Sequence, residues 1–251
     1  MSIIQIIESI ITGIVAGFIC GLTGMGGGTI YVPVFYFLLS FSIKEAIGTS
    51  LLVIVFSSIS AFLAHMREGQ VNFRIAGFLI VAGIIGAQIG SSITSILPDI
   101  AVKIFFICIT IFLSINMWRE RNTGVEGNGT NFTMSTIRFI LIGLAAGIAS
   151  GMGGVGGAIV LVPLLHMWVG IPMNICIGTT LPVVMFNSLS GVIGYFYRGL
   201  VHIQIGIITG VVAVFAALAG TKVSMRTDNK RLRKIFSIVL LIAGMAILVG
   251  R

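Results

Sequence analysis

Residues 139–197 hold no Asp, Glu, Lys or Arg. As a single helix this run would be about 90 Å long, roughly three times the hydrocarbon thickness of a bilayer. A water-soluble domain has nowhere to put so many consecutive uncharged residues. The run therefore lies in a membrane and turns back within or at it. Residues 9–43, 46–66, 75–98, 104–118 and 235–250 are likewise free of charge. Only 9% of the chain is charged, against roughly 25% in a soluble domain. The fold class expected is an all-α polytopic membrane protein.

The chain also repeats itself. Residues 13–72 laid over 143–202, at a constant offset of 130 and without gaps, agree at 19 of 60 positions. Composition alone predicts about a tenth, so the match marks a duplication. The identities cluster. Gly17-x-x-x-Gly21-x-x-Gly24-x-Gly26-Gly27 falls on Gly147-x-x-x-Gly151-x-x-Gly154-x-Gly156-Gly157. Val32-Pro33 falls on Val162-Pro163, and Ile47-Gly48-Thr49 on Ile177-Gly178-Thr179. The division expected is a first membrane repeat at 1–121, a polar loop at 122–133 and a second membrane repeat at 134–251.

Each repeat reads as five helical pieces. In the first they cover about 3–22, 28–40, 44–66, 73–96 and 99–118. In the second they cover about 135–151, 158–170, 173–196, 203–225 and 229–249. The second piece of each set is too short for an ordinary span. It meets the first piece at a glycine-rich break, as a re-entrant hairpin or as two tilted helices. Each repeat then holds one Gly-broken short pair plus three spanning helices. Such a repeat crosses the bilayer an odd number of times, so the two copies have inverted topology.

Charge placement supports that arrangement. It puts Lys44, Lys103, Arg198 and Arg251 on one side, and the other eleven basic residues on the opposite side. Four crossings per repeat would split them almost evenly. The positive-inside rule then places the loops at Arg67, Arg119 and Lys222–Lys234 in the cytoplasm and both termini outside, in a cell (cytoplasmic) membrane. The net charge of +8 belongs to these loops and implies no nucleic-acid partner. The partners expected are the lipid bilayer and a small anionic substrate, with the oligomeric state left open. Cys20, Cys108 and Cys176 are scattered and form no C-x-x-C pair, so no metal and no cofactor is expected.

The glycine breaks carry the strongest chemical signal. Backbone at membrane depth must find partners, unless it lines a cavity where water or a ligand supplies them. Breaks at Gly24, Gly26, Gly27 and Gly28, and at Gly154, Gly156, Gly157 and Ala158, expose the first amides of two short helices. Glycine allows a positive φ and close approach of a ligand. Two positive helix ends facing one point would hold an anion without a buried cation. Gly17, Gly21, Gly147 and Gly151 read instead as helix-packing positions. Thr29 lies in the first turn after the first break. Thr49 and Ser50 are matched by Thr179 and Thr180. Ser57 is matched by Asn187 about two turns further on. These side chains could donate hydrogen bonds to an oxyanion, or bond to neighbouring helices and to their own carbonyls. His166, in the second short piece, is a candidate lining residue, or a neutral histidine bonded to a neighbour.

No carboxylate pairs with a basic residue in mid-membrane, which argues against an elaborate proton relay. An inside-negative potential already drives an anion outward by about 2.3 kcal/mol per charge per 100 mV. Export of an anion needs no coupling ion.

The pattern Gly21-Leu-Thr-Gly24-Met-Gly26-Gly27-Gly28-x4-Pro33, its echo Gly151-Met-Gly-Gly154-Val-Gly156-Gly157-x5-Pro163, and the Ile-Gly-Thr that follows each resemble the sulfite exporter TauE/SafE family. The resemblance covers essentially the whole chain. It implies a secondary transporter that moves sulfur-containing oxyanions, such as sulfite or sulfonates like sulfoacetate, out of the cytoplasm. The residues alone also allow a permease for another small anion or a neutral solute in the uptake direction. An enzyme is not expected, and no catalytic residue is assigned. Ala149-Ser150-Gly151 superficially resembles an intramembrane serine protease, but the matched position is Cys20. A passive channel is disfavoured by interrupted helices in two copies.

Overall fold

A computed structural model describes residues 3–24, 26–119 and 136–249. The polar loop expected at 122–133 lies outside the described residues, as do Arg121 and Arg251. Among the described residues ten helices run in order: α1 (Ile3–Thr23), α2 (Gly28–Phe37), α3 (Ile43–Arg67), α4 (Phe73–Ile96), α5 (Asp99–Arg119), α6 (Thr136–Gly153), α7 (Ala158–Val169), α8 (Met173–Phe196), α9 (Ile203–Met225) and α10 (Asn229–Val249). The element order matches the sequence reading. Seven of the ten, all but α2, α7 and α10, are long and apolar enough to cross a membrane.

Local chemistry explains where the helices start. Ser42 and Glu45 form a capping box: the Ser42 Oγ accepts from the Glu45 amide, and the Glu45 carboxylate accepts from the Ser42 amide. The Asn72 side chain accepts from the Ile75 amide at the start of α4. The first short helix ends at Phe37, earlier than the 40 expected from hydropathy. The chain must turn before the Ser42 cap, so Ser40 takes a φ of 55° and the Phe41 amide bonds back to the Phe35 carbonyl. Hydropathy could not see this turn, because Leu38, Leu39 and Phe41 are as apolar as the helix they leave.

The repeats interlock rather than sit side by side. α1 packs along α9, and α6 along α4. In the first pair Gly13, Gly17 and Gly21 face Thr209, Ala213 and Ala217. In the second Gly143, Gly147 and Gly151 face Leu79, Gly83 and Ala87. The partner numbers differ by the same 130 that relates the repeats, so each contact occurs twice. A side chain at Gly17 would bring its Cβ 2.8 Å from the Ala213 Cα, and at Gly21 it would overlap the Ala217 carbonyl. Without a hydrophobic force between helices in lipid, such close backbone approach supplies the packing energy.

α3 and α8 cross the centre of the molecule in opposite directions, with Gly48 against Tyr195 and Leu200, and Gly178 against Gln70. α5 and α10 form an outer pair joined by a reciprocal serine contact. The Ser114 Oγ and the Ser237 Oγ each donate to the other's carbonyl at 2.8 Å. Gln5 near the start of α1 and Phe41 just beyond α2 line one cleft with His202. α1 and α2 therefore enter and leave at the same end of the bundle, as a hairpin does. The outer surface carries large apolar side chains, with Ile3 77%, Val81 67% and Phe215 71% exposed. Exposure on that scale suits lipid and not water.

Leucine at Gly21 or Gly151 should destabilise the fold by upward of about 1–3 kcal/mol through backbone overlap, read as a lowered melting temperature in detergent. Gly77→Ala, with nothing within 4 Å of the added Cβ, should be neutral or stabilising by up to about 1 kcal/mol.

Candidate functional site

The two glycine breaks meet. Gly27 at φ 76° caps α2, and Gly157 at φ 84° caps α7. Gly24, Gly26, Gly154 and Gly156 are also left-handed, a conformation that costs other residues roughly 1–2 kcal/mol. A Cβ on Gly28 would lie 2.5 Å from the Val155 Cα and overlap the Gly154 carbonyl oxygen. A Cβ on Gly26 would lie 2.9 Å from Val184 Cγ1 and 3.0 Å from Ile54 Cγ2. A Cβ on Gly156 would meet the same two side chains at 2.6 and 3.3 Å. Ile54 and Val184 are equivalent in the repeat and fall near the middle of α3 and α8. Both breaks therefore converge on one point halfway along the two central helices.

Each short helix begins directly after a turn, at Gly26–Gly27 for α2 and at Gly156–Gly157 for α7. Their first regular bonds run from the Ile30 and Tyr31 amides to the Gly27 carbonyl, and from the Val160 and Leu161 amides to the Gly157 carbonyl. The amides ahead of these sit at the positive helix ends. Ser50 joins the breaks from the side. Its hydroxyl lies 2.8 Å from the Gly154 carbonyl and 2.7 Å from the Ile47 carbonyl, with one proton to share between them.

Polar side chains ring the junction, and the two halves differ. Beside Gly27 are Cys20 and Tyr31. The Cys20 thiol donates to the Ser57 Oγ at 3.5 Å, and the Ser57 hydroxyl turns back toward the Val53 and Ile54 carbonyls. At the equivalent positions of the second repeat stand Ser150 and Asn187. The Asn187 Nδ2 lies 3.2 Å from where a Gly157 Cβ would be, and its Oδ1 packs on Gly83. The Asn187 Nδ2 and Oδ1, the Ser150 Oγ and the Ser188 Oγ are fully buried, with no hydrogen-bond partner among the described residues. The Tyr31 hydroxyl is buried without a partner in the same way. A buried carboxamide can make about four hydrogen bonds and rarely makes none.

Other candidates have different surroundings. The Thr49 Oγ1 accepts from the His202 amide, and the Thr179 Oγ1 accepts from the Asn72 amide, both at 3.0 Å. Each threonine thus ties its own repeat to the start of a helix in the other. Thr180 bonds back to the Ile177 carbonyl at 3.0 Å. The Thr29 Oγ1 is buried and unpartnered in the first turn of α2. His166 is half-buried at the far end of α7 from Gly157, with Nδ1 2.8 Å from the Ile171 oxygen. Ala158 stands at the first helical position of α7, where the first repeat has Gly28.

Sequence reasoning left Tyr31, Cys20 and Ser150 outside the binding set. The signal that would have found them is positional: 20 and 150 are equivalent in the repeat and sit one turn before the break, where a side chain points at it. Tyr31 carries no such signal, since its counterpart is Leu161.

A family model described as "Sulfite exporter TauE/SafE" matches residues 9–247. The chain is 28% identical to "Probable membrane transporter protein MJ0441" of Methanocaldococcus jannaschii, covering 95% of this chain and 94% of the relative. It is 29% identical to "Probable membrane transporter protein YdhB" of Bacillus subtilis, over 92% of this chain and 96% of that one. A third relative, "Probable membrane transporter protein YunE" of the same organism, is 24% identical over 94% of each. No solved structure matches the chain.

Thr49→Val and Thr179→Val each remove the acceptor of a backbone amide while keeping the side-chain shape. Each should destabilise the protein by about 1–2 kcal/mol. The two losses in thermal stability should be similar, because the two bonds are equivalent in the repeat.

Proposed function

The chain belongs to the sulfite exporter TauE/SafE family, and from that premise we propose that this multi-pass membrane transporter exports small sulfur-containing oxyanions by alternating access. The substrates are sulfite or sulfonates such as sulfoacetate. The observation that carries the reading is the meeting of two glycine-capped helix starts, at mid-depth of α3 and α8, beside buried polar groups that lack partners. An oxyanion offers the acceptors those groups want. Gly24, Gly26, Gly27 and Gly28 would contact it from one repeat, and Gly154, Gly156, Gly157 and Ala158 from the other. Ser50, Ser57 and Asn187 flank it. The two helix ends supply positive potential where no Lys or Arg is near in sequence.

Alternating access follows from the duplication. Two inverted copies of one repeat give two pseudo-equivalent conformations, one open to each side. In the conformation described, the breaks touch each other and the backbone contacts are closed. The α1–α2 and α6–α7 hairpins are the elements that would separate to admit a ligand. Orientation comes from the basic loops: Arg67, Arg119 and Lys222–Lys234 face the cytoplasm of a cell membrane, and both termini face outside. Cysteine labels introduced between 67 and 74 and between 226 and 231 should react from the same, cytoplasmic, face.

A second reading is uptake of a small neutral solute, favoured by the lack of charge in every stretch that reaches the junction. Flux decides between them. In proteoliposomes loaded with sulfite or sulfoacetate, an inside-negative potential should drive efflux, toward a limiting gradient of about fiftyfold per 100 mV for a monoanion. Indifference to the potential would exclude electrically driven anion export. Gly27→Val and Gly157→Val should abolish transport, because a β-branched side chain neither tolerates the left-handed backbone nor lets a ligand near the amides.

A further inference from the structure

Resting on that reading, we infer that the bound species is a singly charged sulfur oxyanion that also carries a hydroxyl donor, held chiefly by Asn187 and Ser150 of the second repeat. O-protonated hydrogensulfite and the hydroxyalkanesulfonates are the smallest members of this class, which narrows the proposed substrates and leaves the sulfoacetate dianion outside it.

The charge comes from what surrounds the junction. The stretches 9–43, 46–66, 75–98 and 139–197 contain every residue named around it, and none of them contains a charged residue. The positive potential available is that of two helix starts, each equivalent to at most about half an elementary charge. Their sum matches one negative charge. A second negative charge would enter a low-dielectric site with nothing to balance it.

The donor comes from Asn187. Its Nδ2, with the Ser150 and Ser188 hydroxyls, offers hydrogen bonds that oxyanion oxygens accept. Its Oδ1 is equally buried and equally without a partner. An anion with acceptor oxygens alone would leave that carbonyl unpaired and push its own lone pairs toward it. A ligand hydroxyl satisfies it instead. Both amide atoms lack partners, so the argument does not depend on which way the carboxamide is turned.

The asymmetry comes from comparing the halves. In the first repeat the thiol of Cys20 is already bonded to Ser57, leaving the Thr29 and Tyr31 hydroxyls as the unpartnered groups there, with no unpartnered carboxamide among them. In the second repeat Ser150, Asn187 and Ser188 are all unpartnered. The second repeat reads the ligand, while the first closes over it.

The test is equilibrium binding to the purified full-length protein in lipid nanodiscs, at one pH, with three probes. Methanesulfonate is a monoanion without a donor, hydroxymethanesulfonate is a monoanion with one, and sulfate is a dianion. Hydroxymethanesulfonate should bind about tenfold tighter than methanesulfonate, and sulfate should bind weakest. Asn187→Ser, which installs the residue found at the equivalent position 57, should retain the fold, and its preference between the two monoanions should fall to about twofold or less. Equal affinity for the two monoanions, or tightest binding of sulfate, overturns the inference and leaves oxyanion transport standing. An Asn187→Ser protein that keeps the full preference removes Asn187 from the assignment. Binding of none of the three overturns the reading beneath as well. Should the variant fail to fold, the comparison of probes on the unmodified protein decides the charge and the donor by itself.

Discussion

Backbone that leaves a helix at membrane depth must find hydrogen-bond partners, and the organisation of this molecule around its centre follows from that requirement. Each repeat breaks its chain once, after Thr23 and after Gly153. Neither break could lie in lipid. Placed against each other between Ile54 and Val184, they are shielded by the central helices, and Ser50 reaches across to the Gly154 carbonyl. Glycine is needed here for two separate reasons. The left-handed φ at Gly27 and Gly157 excludes ordinary side chains, and the contact between Gly28 and Gly154 leaves no room for a Cβ. The second copy keeps the first requirement and relaxes the second, with Ala158 where Gly28 stands.

The junction can form only if each broken hairpin is held by something rigid, and the hairpins are held by the opposite repeat. α1 lies on α9 and α6 on α4, through rows of small residues that let backbones touch. Thr49 and Thr179 fasten the second turns of α3 and α8 to the starts of α9 and α4. Neither repeat can complete its own packing, which is why a duplicated sequence yields one interlocked body. The same exchange places the two breaks at one point, since each hairpin is positioned by helices of the other copy.

Much of this was legible in the sequence, for physical reasons that differ by feature. Ten helices could be read because charged or polar turns separate the charge-free runs and glycine breaks divide the longest of them further. The end of α2 could not, because the turn at Ser40 is surrounded by apolar residues. The left-handed glycines could be anticipated from their clustering. The division of labour among the hydroxyl groups could not. Thr49 and Ser57 look alike as small polar residues on one helix, yet one caps a helix of the other repeat and the other accepts from Cys20. Only the fold reveals which atoms are already engaged. The same holds for Tyr31, whose hydroxyl becomes meaningful once Gly27 is seen beside its ring.

The differences between the copies bear on function more than their likeness does. The glycines through which each hairpin packs on the opposite repeat are equivalent in the two copies: Gly13 with Gly143, Gly17 with Gly147, Gly21 with Gly151. The residues that face the junction do not all match. A small asymmetric ligand presents different groups to its two sides, and a site that recognises it must differ likewise. Cys20 against Ser150, Ser57 against Asn187 and Tyr31 against Leu161 are substitutions of this kind. Cys20 and Tyr31 lie beside Gly27 and Asn187 lies beside Gly157, while the glycines of the packing rows at 13, 17 and 21 keep their match at 143, 147 and 151.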